Sequence, residues 1–295
     1  GAVGVAQVGQ LLVAETGAQH IEVATTLNNL GLLFLETGRL DEAEKALDEA
    51  LAMGRAVYPG GHPKLASSLV NHAQLRRAQG RYAEAEAGFR EAAALQERLL
   101  GAGHADTANT WNSLGETLAT LDRGAEAETL YLEALRVLRA RLGDRDRRVA
   151  ATLNNLADLA QTRGDLAQAE RRYLEALEVL RAVLGPDHPD VAATLHNLAT
   201  LRQERGDLPA AEAGYREALA IAERRLGPGH TRVALMRLGL ASLLVRRERL
   251  SEAEPLARAA RDALAAALPA SDPACQAAER ILARTRPAGS ARGTS

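Results

Sequence analysis

Two of the chain's seven histidines fall within one run, LGPDHPDVAATLHNLA, at residues 184–199. Asp187 precedes His188, and Asp190 follows two residues later. Imidazole beside carboxylate can ligate a metal or relay a proton. Asparagine beside histidine, as in His196-Asn197, can instead offer paired donors and acceptors to a bound chain. The surrounding periodicity discriminates between these readings.

Shifted by 42 residues, the sequence lands on itself. Alanine recurs at Ala43, Ala85, Ala127, Ala169, Ala211 and Ala253, each followed by glutamate (Glu44, Glu86, Glu128, Glu170, Glu212, Glu254). A second alanine recurs at Ala50, Ala92, Ala134, Ala176, Ala218 and Ala260. Fixed-period self-similarity is the mark of a stacked repeat array. His188 then has counterparts at His20, His62, His104 and His230, with Asp146 and Asp272 in the same column. Metal ligands must converge to about 2.0–2.1 Å from one ion. Equivalent positions in stacked helices are roughly 8–10 Å apart or more. Aspartate is a preferred helix N-cap and proline a preferred first helical residue. His62-Pro63, His188-Pro189 and Asp272-Pro273 therefore read as caps, not ligands. His72 falls in a leucine column and reads as a core or near-core histidine.

The elements that carry these residues are two helices per cycle. In the fifth cycle, Val191, Leu195, Leu198, Ala199 and Leu201 have helical spacing from 190 to about 204. Gly206 supplies a left-handed stop. A second helix is expected from about Leu208 to Leu226, before the break GPGH. Alanine and leucine dominate and aromatics are only 3%, which argues against sheet. A small residue recurs mid-helix (Gly31, Ala73, Gly115, Ala157, Ala199, Ala241), and a turn glycine at Gly38, Gly80, Gly164 and Gly206. Asp122 and Glu248 replace that glycine, so looser or differently shaped turns are expected there.

This pattern resembles the tetratricopeptide repeat, in the 42-residue variant of kinesin light chains and many bacterial signalling proteins. The resemblance implies an all-α fold: a right-handed superhelical α-solenoid of stacked antiparallel helix pairs spanning residues 1–285. Its expected parts are a partial repeat at 2–16, repeats at about 20–61, 62–103, 104–145, 146–187, 188–229 and 230–271, and a capping helix at 273–284. Residues 286–295 have no apolar periodicity and are expected to be disordered. Arrays of this kind often adjoin nucleotide-switch or protease-like domains, so a regulatory segment of a longer protein is an alternative, with further domains preceding Gly1.

The resemblance also implies where a ligand would lie. The family's groove asparagine maps to Asn29, Asn71, Asn155 and Asn197, with Ser113 and Gly239 departing. Beside it stand Asn28, Asn112, Asn154 and His196; one turn on come Gln74, Glu116, Asp158 and Thr200, then Gln161 and Gln203. These residues either grip an extended peptide or bond neighbouring helices. The lysine and arginine clamp by which some relatives hold a terminal carboxylate is missing, and Arg77 is the nearest groove cation. A neutral to basic peptide or protein segment is the expected partner.

No GxxxxGK[ST], HExxH, CxxC or GxSxG occurs, and both RGD tripeptides fall at interhelix turns. The reading is a non-enzymatic scaffold with no cofactor and no metal. The net charge of −2 implies no particular partner, and the arginine-rich C-terminal region lacks the interleaved aromatics that nucleic-acid stacking needs, which argues against nucleic acid. No run of 18 apolar residues exists, which argues against a membrane span. Lone Cys275 permits no internal disulfide and fits a reducing, cytoplasmic setting. Residues 1–60 carry three Lys/Arg against eight Asp/Glu, and residues 224–295 carry thirteen Arg against six acids. That gradient makes head-to-tail self-association a third possibility.

Overall fold

The computed structural model describes residues 21–285. His20 and the segments 2–16 and 286–295 lie outside the described residues. Among those described, every regular element is a helix. Helix α1 occupies residues 21–36. There follow α2 (Leu40–Val57), α3 (Pro63–Ala78), α4 (Tyr82–Leu100), α5 (Ala105–Thr120) and α6 (Gly124–Leu142). A second set comprises α7 (Arg147–Thr162), α8 (Leu166–Leu184), α9 (Pro189–Glu204), α10 (Leu208–Leu226), α11 (Thr231–Arg246), α12 (Leu250–Ala265) and α13 (Pro273–Thr285). The chain divides after Gly143 into two compact units, α1–α6 and α7–α13.

Within each unit the helices pack as consecutive pairs: α3 on α4, α5 on α6, α7 on α8, α9 on α10, α11 on α12. The 42-residue period decides the lengths. From α3 to α11, first helices have 16 residues and second helices 19, with short turns filling the remainder. The recurring alanines Ala43, Ala85, Ala127, Ala169, Ala211 and Ala253 are all fully buried, where backbones must approach closely. One position of the second helices from α2 to α10 carries a large side chain, Leu47, Phe89, Tyr131, Tyr173 or Tyr215, each at most 2% exposed. Burying such a side chain contributes roughly 1.5–3 kcal/mol. The small mid-helix column exists to admit it: a Cβ on Gly115 would stand 2.5 Å from the Tyr131 ring, and one on Gly31 would stand 2.5 Å from Leu47 Cγ.

The histidine column caps first helices. Nδ1 of His62, His104, His188 and His230 accepts the backbone N–H of the residue two positions on, at 3.1–3.2 Å. The carboxylates of Asp146 and Asp272 accept the equivalent N–H, each at 2.8 Å. His188 thus shares its task with aspartate because both present an acceptor at the same place. Each such cap contributes about 1 kcal/mol.

Asp122 and Glu248 correct an expectation. Their turns are neither looser nor differently shaped. Both adopt the left-handed backbone of the glycines they replace, with φ of 60° and 59° against 85° at Gly206. The following amide returns to the preceding helix at 2.9 Å in all three turns: Arg123 to Leu118, Arg249 to Leu244, Asp207 to Arg202. Closing those hydrogen bonds fixes the turn, and the side chain tolerates the strain.

The invariant glutamate that follows the buried alanine has a structural partner. Guanidinium groups from the next repeat's interhelix turn reach Glu44 (from Arg76 and Arg81), Glu86 (from Arg123), Glu170 (from Arg202 and Arg205) and Glu212 (from Arg247 and Arg249). Each carboxylate ties one helix pair to the next. Arg76 holds the Glu44 carboxyl down at about 2. The second RGD dissolves into this scheme. Arg205 clasps Glu170, Gly206 makes the turn, and Asp207 caps α10 by accepting from Ala210 N–H at 3.2 Å.

Candidate functional site

The first helices of the second unit bring the expected residues together. Asn154, Asn155 and Asp158 on α7 face His196 and Asn197 on α9 and Met236 on α11 across a groove of about 600 Å³. A second cavity of about 360 Å³ shares Asp158, His196 and Asn197 and continues past Gln161, Thr200, Tyr173 and Glu204. The two form one groove, running from the N-terminal turns of α7, α9 and α11 to the C-terminal turns of α7 and α9.

Hydrogen bonds fix its walls. Asn154 Nδ2 donates to Thr194 Oγ1 at 2.9 Å, bridging α7 and α9. Tyr173 on α8 reaches between the first helices, and its hydroxyl donates to Asp158, with Gln161 Oε1 3.1 Å from the same oxygen. One repeat on, the Tyr215 hydroxyl lies 2.9 Å from Thr200 Oγ1. Burial, with Asp158 second, pushes the Tyr173 phenol up, so it stays a donor throughout the ordinary pH range. Burial acts oppositely on His196, lowering it to about 4. Its ring packs edge-on to Tyr215 with centroids 5.1 Å apart. Its Nδ1 atom is buried without a partner. His196 is therefore a neutral wall residue at pH 7.

In the first unit, Gln74, Arg77 and Glu116 line one cavity together with Tyr82 on α4. Arg77 pairs with Glu116, and Asn112 Nδ2 donates to Glu116 Oε1 at 3.3 Å. Asn71 Nδ2 donates to Asn28 Oδ1 at 3.0 Å, so this pair bonds neighbouring helices to each other. Asn29 is exposed, and Asn29 and Gln203 line none of these cavities.

Two residue sets escaped the sequence reading. Arg77 is not the nearest groove cation: Arg147, Arg148 and Arg232 line the N-terminal end of the second unit's groove. Their signal was present as a column, since Lys64, Asp106, Arg148, Asp190 and Arg232 recur every 42 residues and are charged without exception. The second set is the tyrosines: the Tyr173 hydroxyl lines the groove and that of Tyr215 bonds its Thr200 wall, placements that residue type alone does not reveal.

Gly239 shows why the groove asparagine ends there. A Cβ at that position would stand 2.5 Å from His196 Cε1 and 2.9 Å from Tyr215 Cε1. The larger His196 ring has taken the space that an asparagine occupies elsewhere.

Comparison with known proteins agrees with this architecture. The sequence profile of the tetratricopeptide repeat matches residues 23–64, 64–140, 148–224 and 190–266. The chain belongs to the tetratricopeptide-repeat family. This family is generally a scaffold for protein–protein interaction. Similar solved structures include BtubC (BKLC) from P. vanneervenii, at 22% identity and TM-score 0.64, covering 77% of this chain and 91% of that one. Cut9–Hcn1 of the APC/C matches at 16% identity and TM-score 0.65, over 94% of this chain and 45% of that one. A putative kinesin light chain with nearly identical TPR-like repeats from Podosopora anserina matches at 20% identity and TM-score 0.56, over 70% of this chain and 97% of that one. At these identities the likeness concerns the tetratricopeptide fold alone. No curated protein matches the chain. No described helix is long and apolar enough to cross a membrane.

Proposed function

We propose that the chain is a non-catalytic scaffold that holds an extended segment of a partner protein along the groove over α7, α9 and α11. The observation that carries this is the juxtaposition of Asn154, Asn155 and Asn197 along one continuous groove. An asparagine amide both donates and accepts, matching the alternation of N–H and C=O along an extended backbone. The walls are set before any ligand arrives, by Tyr173 on Asp158 and Asn154 on Thr194, which keeps the ordering cost of binding low.

The test is a double variant, Asn155→Ala with Asn197→Ala. Each lost hydrogen bond costs about 0.5–1.5 kcal/mol, so the pair should weaken partner binding about tenfold. Quantitative affinity capture followed by mass spectrometry measures this against wild type, with circular dichroism confirming an unchanged helical fold. Undiminished recovery of the same partner by a folded double variant would overturn the proposal.

A further inference from the structure

The groove of the second unit is electrically polarised along its length. At the N-terminal turns of the first helices stand Arg147, Arg148 and Arg232, with Asp190 as the opposing carboxylate. Arg147 is committed to Asp190 at 2.6 Å, and Arg148 to Asp146 at 3.0 Å. Arg232 is exposed and has no ion pair among the described residues. At the C-terminal turns the lining is Asp158, Gln161, Thr162, Thr200 and Glu204, with the Tyr173 hydroxyl, and holds no cation. Glu204 is exposed and likewise has no ion pair among the described residues.

These two uncommitted charges belong to opposite ends of one cavity system, with Asn155 and Asn197 between them. Arg232 holds on α11 the place that Asp190 holds on α9, and Asp190 and Glu204 are fourteen residues apart, a rise of about 21 Å. An extended chain advances about 3.3 Å per residue, so about six or seven residues cover that span. Resting on the groove reading above, we infer that the bound segment is dipolar: an extended stretch with an Asp or Glu seated by Arg232 and a Lys or Arg seated by Glu204, about six or seven residues apart. The asparagines then meet the backbone between the two anchors. A uniformly acidic segment meets Asp158 and Glu204 unfavourably, and a uniformly basic one meets the three arginines. Polarity also fixes the direction in which the segment lies.

The probe is a phage-displayed library of random dodecapeptides selected against the full chain. Enriched peptides should carry an acid and a base six to eight residues apart, in one order. Selection against Arg232→Glu should deplete the acid at its position at least fivefold, and selection against Glu204→Arg should do the same to the base. The combined variant, Arg232→Glu with Glu204→Arg, should enrich the reversed order. Both residues are exposed, so neither change disturbs the core. Peptides that need Asn155 and Asn197 but show no acid–base spacing, or ignore the charge reversals, would overturn the dipolar inference and leave the groove reading standing. Peptides indifferent to Asn155→Ala with Asn197→Ala, or no enrichment at all, would overturn both.

Discussion

His196 shows how one position can change character within a repeat. Its column holds asparagine at Asn28, Asn112 and Asn154, all polar and half-buried. The imidazole packs between Tyr215 and Gly239 in the groove wall, and burial lowers it to about 4. An unfolded histidine titrates near 6.5. The unfolded chain therefore binds the proton that the folded chain refuses, and acid favours unfolding. His196's part in stability is complete above pH 6.5 and is lost as the pH falls toward 4, by an amount on the order of 2–3 kcal/mol. Thermal melts of wild type and His196→Asn from pH 7 to pH 4 should diverge, with wild type falling more steeply. Parallel curves would contradict the assignment. The residue scale was also where the sequence was least legible. Which nitrogen is buried, and whether a tyrosine hydroxyl ends in core or groove, depend on neighbours far away in the chain.

At the scale of elements the sequence was far more explicit. Caps, turn glycines and the 3.6-residue apolar rhythm are local devices, so the fifth pair emerges at 189–204 and 208–226 much as its spacing requires. The turns at Asp122 and Glu248 escaped because residue type was allowed to dictate backbone shape. The hydrogen bond from Arg249 N–H to Leu244 dictates it instead. Glu248 consequently holds a left-handed conformation, which costs an ordinary residue about 1–2 kcal/mol. Glycine's greater freedom when unfolded cancels part of that gain. Glu248→Gly should raise stability by about 0.5–1 kcal/mol, read as a higher midpoint in urea. A lower midpoint would mean that the carboxylate has a compensating contact. The groove arginines are a related case: Arg148 and Arg232 share a first-turn charged column with Lys64, and charge alone does not reveal that they line the groove.

For the whole molecule, periodicity announces a solenoid, but it treats the repeats as interchangeable, and they are not. The glutamate clasp recurs at Glu44, Glu86, Glu170 and Glu212, whereas the polarity of the groove depends on which repeat contributes arginine and which aspartate. His196 and Gly239 mark the same individuality in packing. Asparagine at position 239 should be poorly tolerated beside the histidine and accepted beside asparagine. A double-mutant cycle of His196→Asn and Gly239→Asn should show a favourable coupling of about 1 kcal/mol or more in urea melts. Strict additivity would mean that the ring can simply swing aside. If the coupling holds, the fifth and sixth repeats are mated parts. Shuffling the modules of this array would then break it even though every module obeys the same consensus, so the order of the repeats is itself inherited information.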